Sequence, residues 1–189
     1  MLLTLLILTL ANQSDALAAR YFGDLPIASL NTYVVEGENA REVAASLEYQ
    51  RPTLADGARA YAVTNWRMPT RWGSDGLGEC APRTVRITVE FDVTLPVLAR
   101  AAELELKEQE RVKWHDYMDF LATHEARRMN RVMQGARDLE QRMRAAADCS
   151  SLNPMLAEGV REIGASARLL DVEVAAEFEK KPSTRRGFP

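Results

Sequence analysis

Residues 114–143 read WHDYMDFLATHEARRMNRVMQGARDLEQRM, and this stretch predicts one long amphipathic helix. Apolar side chains recur along it at spacings of three and four, as they do on one face of an α-helix. Glu125 fills the single gap in this apolar stripe, where a carboxylate is costly unless it is paired or bound to a metal. The alternative is that the helix kinks or rotates so that Glu125 reaches water. The apolar positions are Trp114, Met118, Leu121, Met129, Val132, Ala136, Leu139 and Met143.

His124 and Glu125 begin the most informative motif. In H-E-x-x-H on a helix, two histidines one turn apart bind zinc and the glutamate acts as general base. Here the fifth position is Arg128, a fixed cation where a neutral imidazole is needed. We expect Arg128 to form an (i, i+3) ion pair that neutralises Glu125 in place of the metal. The alternative is that Arg127 and Arg128 are both solvated and that His124-Glu125 is a chance pair.

Strands are predicted before the long helix. Between residues 84 and 95 apolar and polar side chains alternate, which is the pattern of a strand with one buried face. Pro96 is expected to close this strand. Shorter strands are predicted at residues 32–35 and 59–68, so we expect a small antiparallel sheet that is covered on one side.

Two further helices complete the predicted fold. Asn39, followed by Glu42 three residues later, forms a capping-box pattern at the start of one helix, and Pro52 ends it. The other helix carries an apolar stripe from Leu156 to Phe178, which suits packing against the long helix. This order of strands and helices indicates one α+β domain, with a small sheet packed against long helices.

Composition and the first residues bear on location. The 189-residue chain is 47% apolar with a net charge of −3, so it can bury one core and carries no basic stripe for nucleic acid. Met1–Leu10 is an uncharged apolar run, too short to span a bilayer, and a small-x-small cleavage pattern ends at Ala18. We expect a signal peptide over residues 1–18, a leader over 19–30 and one domain over 31–189, hence an exported protein, periplasmic or secreted. An uncleaved anchor or a buried helix is the alternative.

Cys80 and Cys149 are the two cysteines of the chain. An even number in an exported chain indicates one disulfide, which would close a loop of about 70 residues and stabilise the fold by roughly 4 kcal/mol. A two-cysteine metal site is the alternative, although no further cysteine or histidine lies near Cys80 in the sequence.

Several stretches of the chain, in order, carry a family resemblance. They are residues 33–37, 60–66, Cys80, residues 93–96, Trp114 ten residues before His124-Glu125, Cys149 with Leu152, and residues 187–189. Together they resemble a bacterial family labelled a domain of unknown function and described as predicted secreted zinc-dependent proteases. The likeness covers residues 31–189. It implies a small zincin-like fold in which a helix with H-E-x-x-H lies beneath an antiparallel sheet.

The resemblance also implies a third histidine ligand near the C terminus. This histidine belongs to a His-Gly pair five residues after an aspartate that corresponds to Asp171. The chain has Ala176 at the expected position, followed by Glu177 rather than glycine. His115 cannot substitute, because it lies nine residues before His124 and about 180° around the helix. Two of the three histidine ligands are therefore replaced.

We expect a family member that has lost zinc binding and catalysis, needs no cofactor and acts as a binding or structural module in the cell envelope. Its partner is an unidentified peptide or envelope protein, for example an extended peptide that pairs with an exposed sheet edge. The alternative is an active metallopeptidase, with His124 as zinc ligand, Glu125 as catalytic residue and carboxylates such as Asp171 or Glu177 completing the site. A structural envelope protein whose long helices self-associate is a third class.

Overall fold

The structure is a computed structural model that describes residues 17–55, 57–74 and 79–180, with side chains as far as residue 170. Of the predicted signal peptide over residues 1–18, only residues 17 and 18 are described. The glycine-rich residues 75–78 lie outside the described residues. The fold is α+β, as predicted. In chain order the elements are α1 (described from 17 to 22), β1 (Ile27–Val35), α2 (Ala40–Gln50), β2 (Val63–Arg67), β3 (Thr70–Arg71), a 3-10 turn (Pro82–Thr84), β4 (Arg86–Ile87), β5 (Glu90–Leu98), α3 (Arg100–Glu105), α4 (Glu108–Arg144) and α5 (Leu152–Lys180).

Helix α4 is the predicted long helix. It runs without a break for 37 residues, which is about 55 Å. All eight apolar positions predicted for its stripe are buried. Glu125, in the gap of the stripe, is only 3% exposed, so the helix does not rotate this side chain into water. The stripe packs with β5 and β2 in one hydrophobic core.

Helix α5 packs against α4 at two glycines. A Cβ atom added to Gly135 would lie 2.6 Å from Cγ1 of Ile163, and one added to Gly159 would overlap the side chain of Leu139. Glycine therefore lets the two helix backbones approach closely. Gly135 faces Ile163, and Leu139, four residues later in α4, faces Gly159, four residues earlier in α5. The two helices are therefore antiparallel, and each step along α4 corresponds to one step back along α5. No helix in the described part of the chain is long and apolar enough to cross a membrane.

The three-stranded sheet is mixed rather than antiparallel. Its order is β1-β5-β2, in which β2 is antiparallel to β5 and β1 is parallel to β5. This corrects the predicted antiparallel sheet. The alternation of side chains fixes which face of a strand is buried, but it carries no information on the direction of the neighbouring strand. The chain between β1 and β5 is long enough for the crossover that a parallel pair needs.

The strand predicted over residues 84–95 is divided in the structure. Its first part, β4, pairs with β3 in a separate two-stranded sheet. Its second part, β5, follows the predicted alternation, with Phe91, Val93 and Leu95 buried. Strand β5 then continues through Pro96 to Leu98, so the prediction that Pro96 closes it is wrong.

Strand β5 continues past Pro96 because residues 96–98 still pair with β1, whereas its pairing with β2 ends at Thr94. Val63 pairs with Thr94 at the end of the β2 ladder, and Tyr61 precedes Val63 by two residues, outside β2. The hydroxyl of Tyr33, on β1, donates to the carbonyl oxygen of Tyr61 over 2.7 Å. Tyr33 therefore joins β1 to the segment that leads into β2.

Residues 19–30 pack on the domain, whereas a loose leader was expected. Phe22 is 4% exposed and belongs to the core. A guanidinium nitrogen of Arg20 lies 3.1 Å from a carboxylate oxygen of Asp119 on α4. Strand β1 already begins at Ile27. The composition of this segment gave no periodicity long enough to predict its docking.

Helix α2 begins at the predicted cap. The Asn39 side chain accepts a hydrogen bond from the Glu42 N–H over 3.2 Å. The Glu42 carboxylate accepts one from the Glu38 N–H over 2.9 Å, and this bond holds the pKa of Glu42 below its usual value. The helix ends at Gln50, before Pro52, as predicted.

The predicted disulfide is confirmed. Cys80 and Cys149 are bonded, with their Cα atoms 6.2 Å apart, which is within the usual range. The bond joins the segment before the 3-10 turn to the connection between α4 and α5. It therefore fixes the end of the helical pair to the strand-rich part of the domain.

The Tyr33 hydroxyl gives a stability prediction. Tyr33→Phe leaves the Tyr61 carbonyl oxygen without that donor, so we expect the free energy of unfolding to fall by about 1–2 kcal/mol. The matched control is Tyr61→Phe, whose hydroxyl donates to the exposed carboxylate of Glu48 and whose loss should cost less than about 0.5 kcal/mol. Urea unfolding followed by circular dichroism measures both. Equal losses would contradict the role given to Tyr33.

Candidate functional site

Four polar side chains lie along one side of α4. They are Tyr117, His124, Glu125 and Arg128, which we call the α4 polar stripe. Seven residues separate Tyr117 from His124 and eleven separate it from Arg128, so the three point the same way on a helix, with Glu125 beside them. The stripe spans roughly 16 Å. Glu125 is buried and the other three side chains are half-buried.

Several polar atoms of the stripe are buried, and three of them have no hydrogen-bond partner among the described residues. The hydroxyl oxygen of Tyr117, Oε2 of Glu125 and Nε of Arg128 form no hydrogen bond with the described part of the chain, and Nδ1 of His124 is buried beside them. The expected ion pair is therefore not made through Oε2 of Glu125 and Nε of Arg128. Arg127 is exposed, but the buried Nε of Arg128 shows that this arginine is not simply solvated.

Thr64 is the second buried polar residue. Among the described residues, Thr64 and Glu125 are the two polar or charged side chains that are buried, at 4% and 3% exposure. The hydroxyl of Thr64 also has no hydrogen-bond partner there. It stands on β2, which contacts α4. The sequence analysis missed Thr64, although Ala62, Thr64 and Trp66 lie at alternate positions of a predicted strand and so share one face.

An aromatic cluster surrounds the Tyr117 end of the stripe. The Tyr117 ring meets the Tyr61 ring edge to face, with centroids 6.3 Å apart, and lies 6.0 Å from the Trp114 ring. The Arg51 guanidinium lies 4.6 Å above the Tyr61 ring. Burial raises the pKa of Tyr117 far above its usual value, so its hydroxyl stays protonated. The sequence analysis missed this residue; its signal was the seven-residue spacing to His124.

The described residues do not fit a catalytic zinc ion. Such a site needs three protein ligands, and the guanidinium of Arg128 is not one. No group of three or more His, Cys, Asp and Glu side chains in the described segments could hold a metal ion. His115 is exposed, as its place on the far side of α4 predicts. His124 and Glu125 are thus brought together, but no further ligand joins them there.

Ala176, the predicted position of a lost ligand, is carried by α5. The two glycine contacts set the register of α4 and α5, and continuing that register brings residue 173 level with Glu125. The end of α5 therefore runs beside the α4 polar stripe. The side chains of residues 171–180 lie outside the described residues, so the role of Ala176 stays a prediction.

Comparison with known families supports the resemblance. The model of the family DUF922, described as a bacterial protein of unknown function, matches residues 30–175. The chain belongs to this family. The matched DUF922 range contains the α4 polar stripe and both cysteines. No curated protein and no solved structure matches the chain, so the protease description and the zincin-like arrangement stay predictions.

The burial of Glu125 gives a prediction with a matched control on the same helix. In Glu125→Met a buried carboxylate, one of whose oxygens has no hydrogen-bond partner among the described residues, becomes an apolar side chain of similar length. We therefore expect the free energy of unfolding to rise by about 1–2 kcal/mol. In Glu140→Met it should fall by about 1–2 kcal/mol, because Glu140 accepts the Ile87 N–H over 2.8 Å. Urea unfolding measures both variants. A loss of stability in Glu125→Met comparable with the control would contradict this account of Glu125.

Proposed function

We propose that this DUF922 protein has lost zinc binding and catalysis and acts as a binding module in the cell envelope. Arg128 is the observation that carries the proposal. It stands one turn after His124, where a zinc site of the H-E-x-x-H type needs its second histidine, and its Nε atom is buried on the same side of α4.

The charge of Arg128 explains why zinc binding is disfavoured. A guanidinium stays protonated in proteins and has no lone pair to offer a metal. It also places a fixed positive charge within one helical turn of His124, where it repels a divalent cation. A neutral histidine at that position would instead offer a lone pair to the metal and would add no positive charge.

Two observations support an exported binding module. The Cys80–Cys149 disulfide suits an oxidising compartment such as the periplasm or the extracellular space. The sheet also ends in two strands that have a neighbour on one side only within the described residues, and such edges accept extended peptides.

Metal analysis distinguishes this proposal from an active metallopeptidase that uses His124 and Glu125. Protein purified after growth with added zinc is dialysed and its zinc is quantified by mass spectrometry, together with hydrolysis of a mixed peptide library. We expect far less than one zinc per chain and no hydrolysis, because Arg128 and Ala176 stand where the second and third histidine ligands would be. The His124→Ala variant serves as control.

The opposite result is equally clear. One zinc per chain in the wild-type protein, lost in His124→Ala together with peptide hydrolysis, would overturn the proposal.

Light scattering addresses the third class, a structural protein that self-associates through its long helices. A stable oligomer that dissociates when the apolar stripe of α5 is disrupted would favour that class.

A further inference from the structure

Strand β1 presents the longest unpaired strand edge among the described residues. It has nine residues, and in the order β1-β5-β2 only β5 lies beside it. An unpaired edge offers a row of backbone N–H and C=O groups to any extended segment that can reach it. The second outer strand, β2, has five residues.

The parallel pairing decides which backbone groups point outward. In a parallel pair, the N–H and C=O of one residue point to the same side, and successive residues alternate. The C=O of Val35 accepts the Ala99 N–H at the end of β5 over 2.8 Å, so Val35 points inward to β5. Leu30, Thr32 and Val34, an odd number of residues earlier, therefore point outward. We call their outward groups the β1 edge.

Helix α2 blocks the edge only at the C-terminal end of β1. The next outward N–H, that of Glu36, donates to the hydroxyl of Ser46 on α2 over 3.0 Å. For the β1 edge itself the described residues provide no neighbouring strand. The side chains of Thr32 and Val34 are exposed, Val34 by 49%. A strand added here meets open backbone and a solvent-facing side.

The β1 edge lacks the features that normally block strand addition. Proteins protect edges with charged side chains, proline or very short strands. The sequence of β1, IASLNTYVV, contains no charged residue and no proline. Strand β2 is protected by comparison, because it is short and carries Arg67, whose guanidinium lies 2.6 Å from a carboxylate oxygen of Glu90.

Acidic residues flank the uncharged strand at both ends. Asp24 precedes it, Glu36 and Glu38 follow it, and all three are exposed. Within residues 23–41 the one positive side chain is Arg41. This distribution favours an incoming strand with positive ends. It disfavours a second copy of β1, because antiparallel self-pairing would bring Asp24 of one copy toward Glu36 of the other.

We propose that the β1 edge binds an extended peptide segment of about five uncharged residues, rich in Thr, Val or Ile, with Lys or Arg at each end. The segment adds a fourth strand to the sheet through the backbone of Leu30, Thr32 and Val34. This inference rests on the proposed role as a binding module and names the chemistry of its partner.

The test uses the full mature chain and a defined probe, acetyl-Lys-Thr-Val-Thr-Val-Thr-Lys-amide. Amide hydrogen exchange is followed by NMR during titration to about 1 mM peptide, which detects weak complexes. We expect exchange of the Leu30, Thr32 and Val34 amides to slow at least about fivefold. A probe with Glu in place of Lys should bind at least about fivefold more weakly at low ionic strength, and salt should reduce that difference.

Thr32→Pro is the variant that blocks the edge. It removes an outward N–H, a substitution that edge strands tolerate, and should weaken binding at least about tenfold. Thr32→Ser, which keeps the N–H, is the matched control and should bind as the wild-type protein does. If Thr32→Pro does not fold, probes N-methylated at alternate residues replace it, since they remove the donors from the peptide instead.

Four results would overturn the inference: no binding at about 1 mM, protection of Thr64 and Trp66 on β2 instead, equal binding of the Glu probe, or concentration-dependent protection of the β1 edge without peptide, which would assign it to a second copy. The zinc content of the same sample keeps the two proposals separate. A zinc-free, inactive protein that does not bind the probe would contradict only the proposal for the β1 edge. A zinc-loaded, active protein sinks the proposed function whatever the probe does.

Discussion

The burial of one side of α4 is the constraint on which the structure depends. Its apolar stripe packs with β5 and β2 in one core, and Gly135 lets α5 approach α4 closely, where Leu139 of the stripe meets Gly159. Asp119 holds the N-terminal segment through Arg20, and Glu140 accepts the N–H of Ile87. Any residue in the middle of this stripe is therefore shielded from water. Glu125 occupies that middle, and the other members of the α4 polar stripe lie half-buried beside it. Polar atoms that are buried there are costly to keep.

Features written in one element could be predicted from the sequence. The α4 stripe, the alternation in β5, the cap at Asn39 and the disulfide all follow from local spacing or residue type. Apart from the disulfide, for which two cysteines leave one possible pairing, features that depend on two elements could not be predicted. The direction of β1 relative to β5, the passage of β5 through Pro96 in its pairing with β1, and the docking of Phe22 each require a partner that is distant in the chain.

In the candidate site too, positions within one helix could be predicted from the sequence, whereas side-chain contacts and contributions from other elements could not. His124 and Glu125 stand together on α4 as their spacing requires, and Glu125 is buried as its place in the stripe predicts. The expected ion pair between Glu125 and Arg128 is not made through Oε2 and Nε, although both atoms are buried. Helical spacing brings two side chains near each other but does not fix the rotamer that each adopts. Thr64 came from another element, and no periodicity in α4 could have indicated it.

The central claim of the proposed function is that Arg128, at the position of the second histidine, prevents zinc from binding at His124. Calorimetric titration of zinc into the wild-type protein and into Arg128→His tests this most directly. The substitution restores two histidines one turn apart, so we predict that the variant binds zinc at least about tenfold more tightly than the wild-type protein. Wild-type binding as tight as that of Arg128→His would contradict the claim, because Arg128 would then not be what prevents zinc binding.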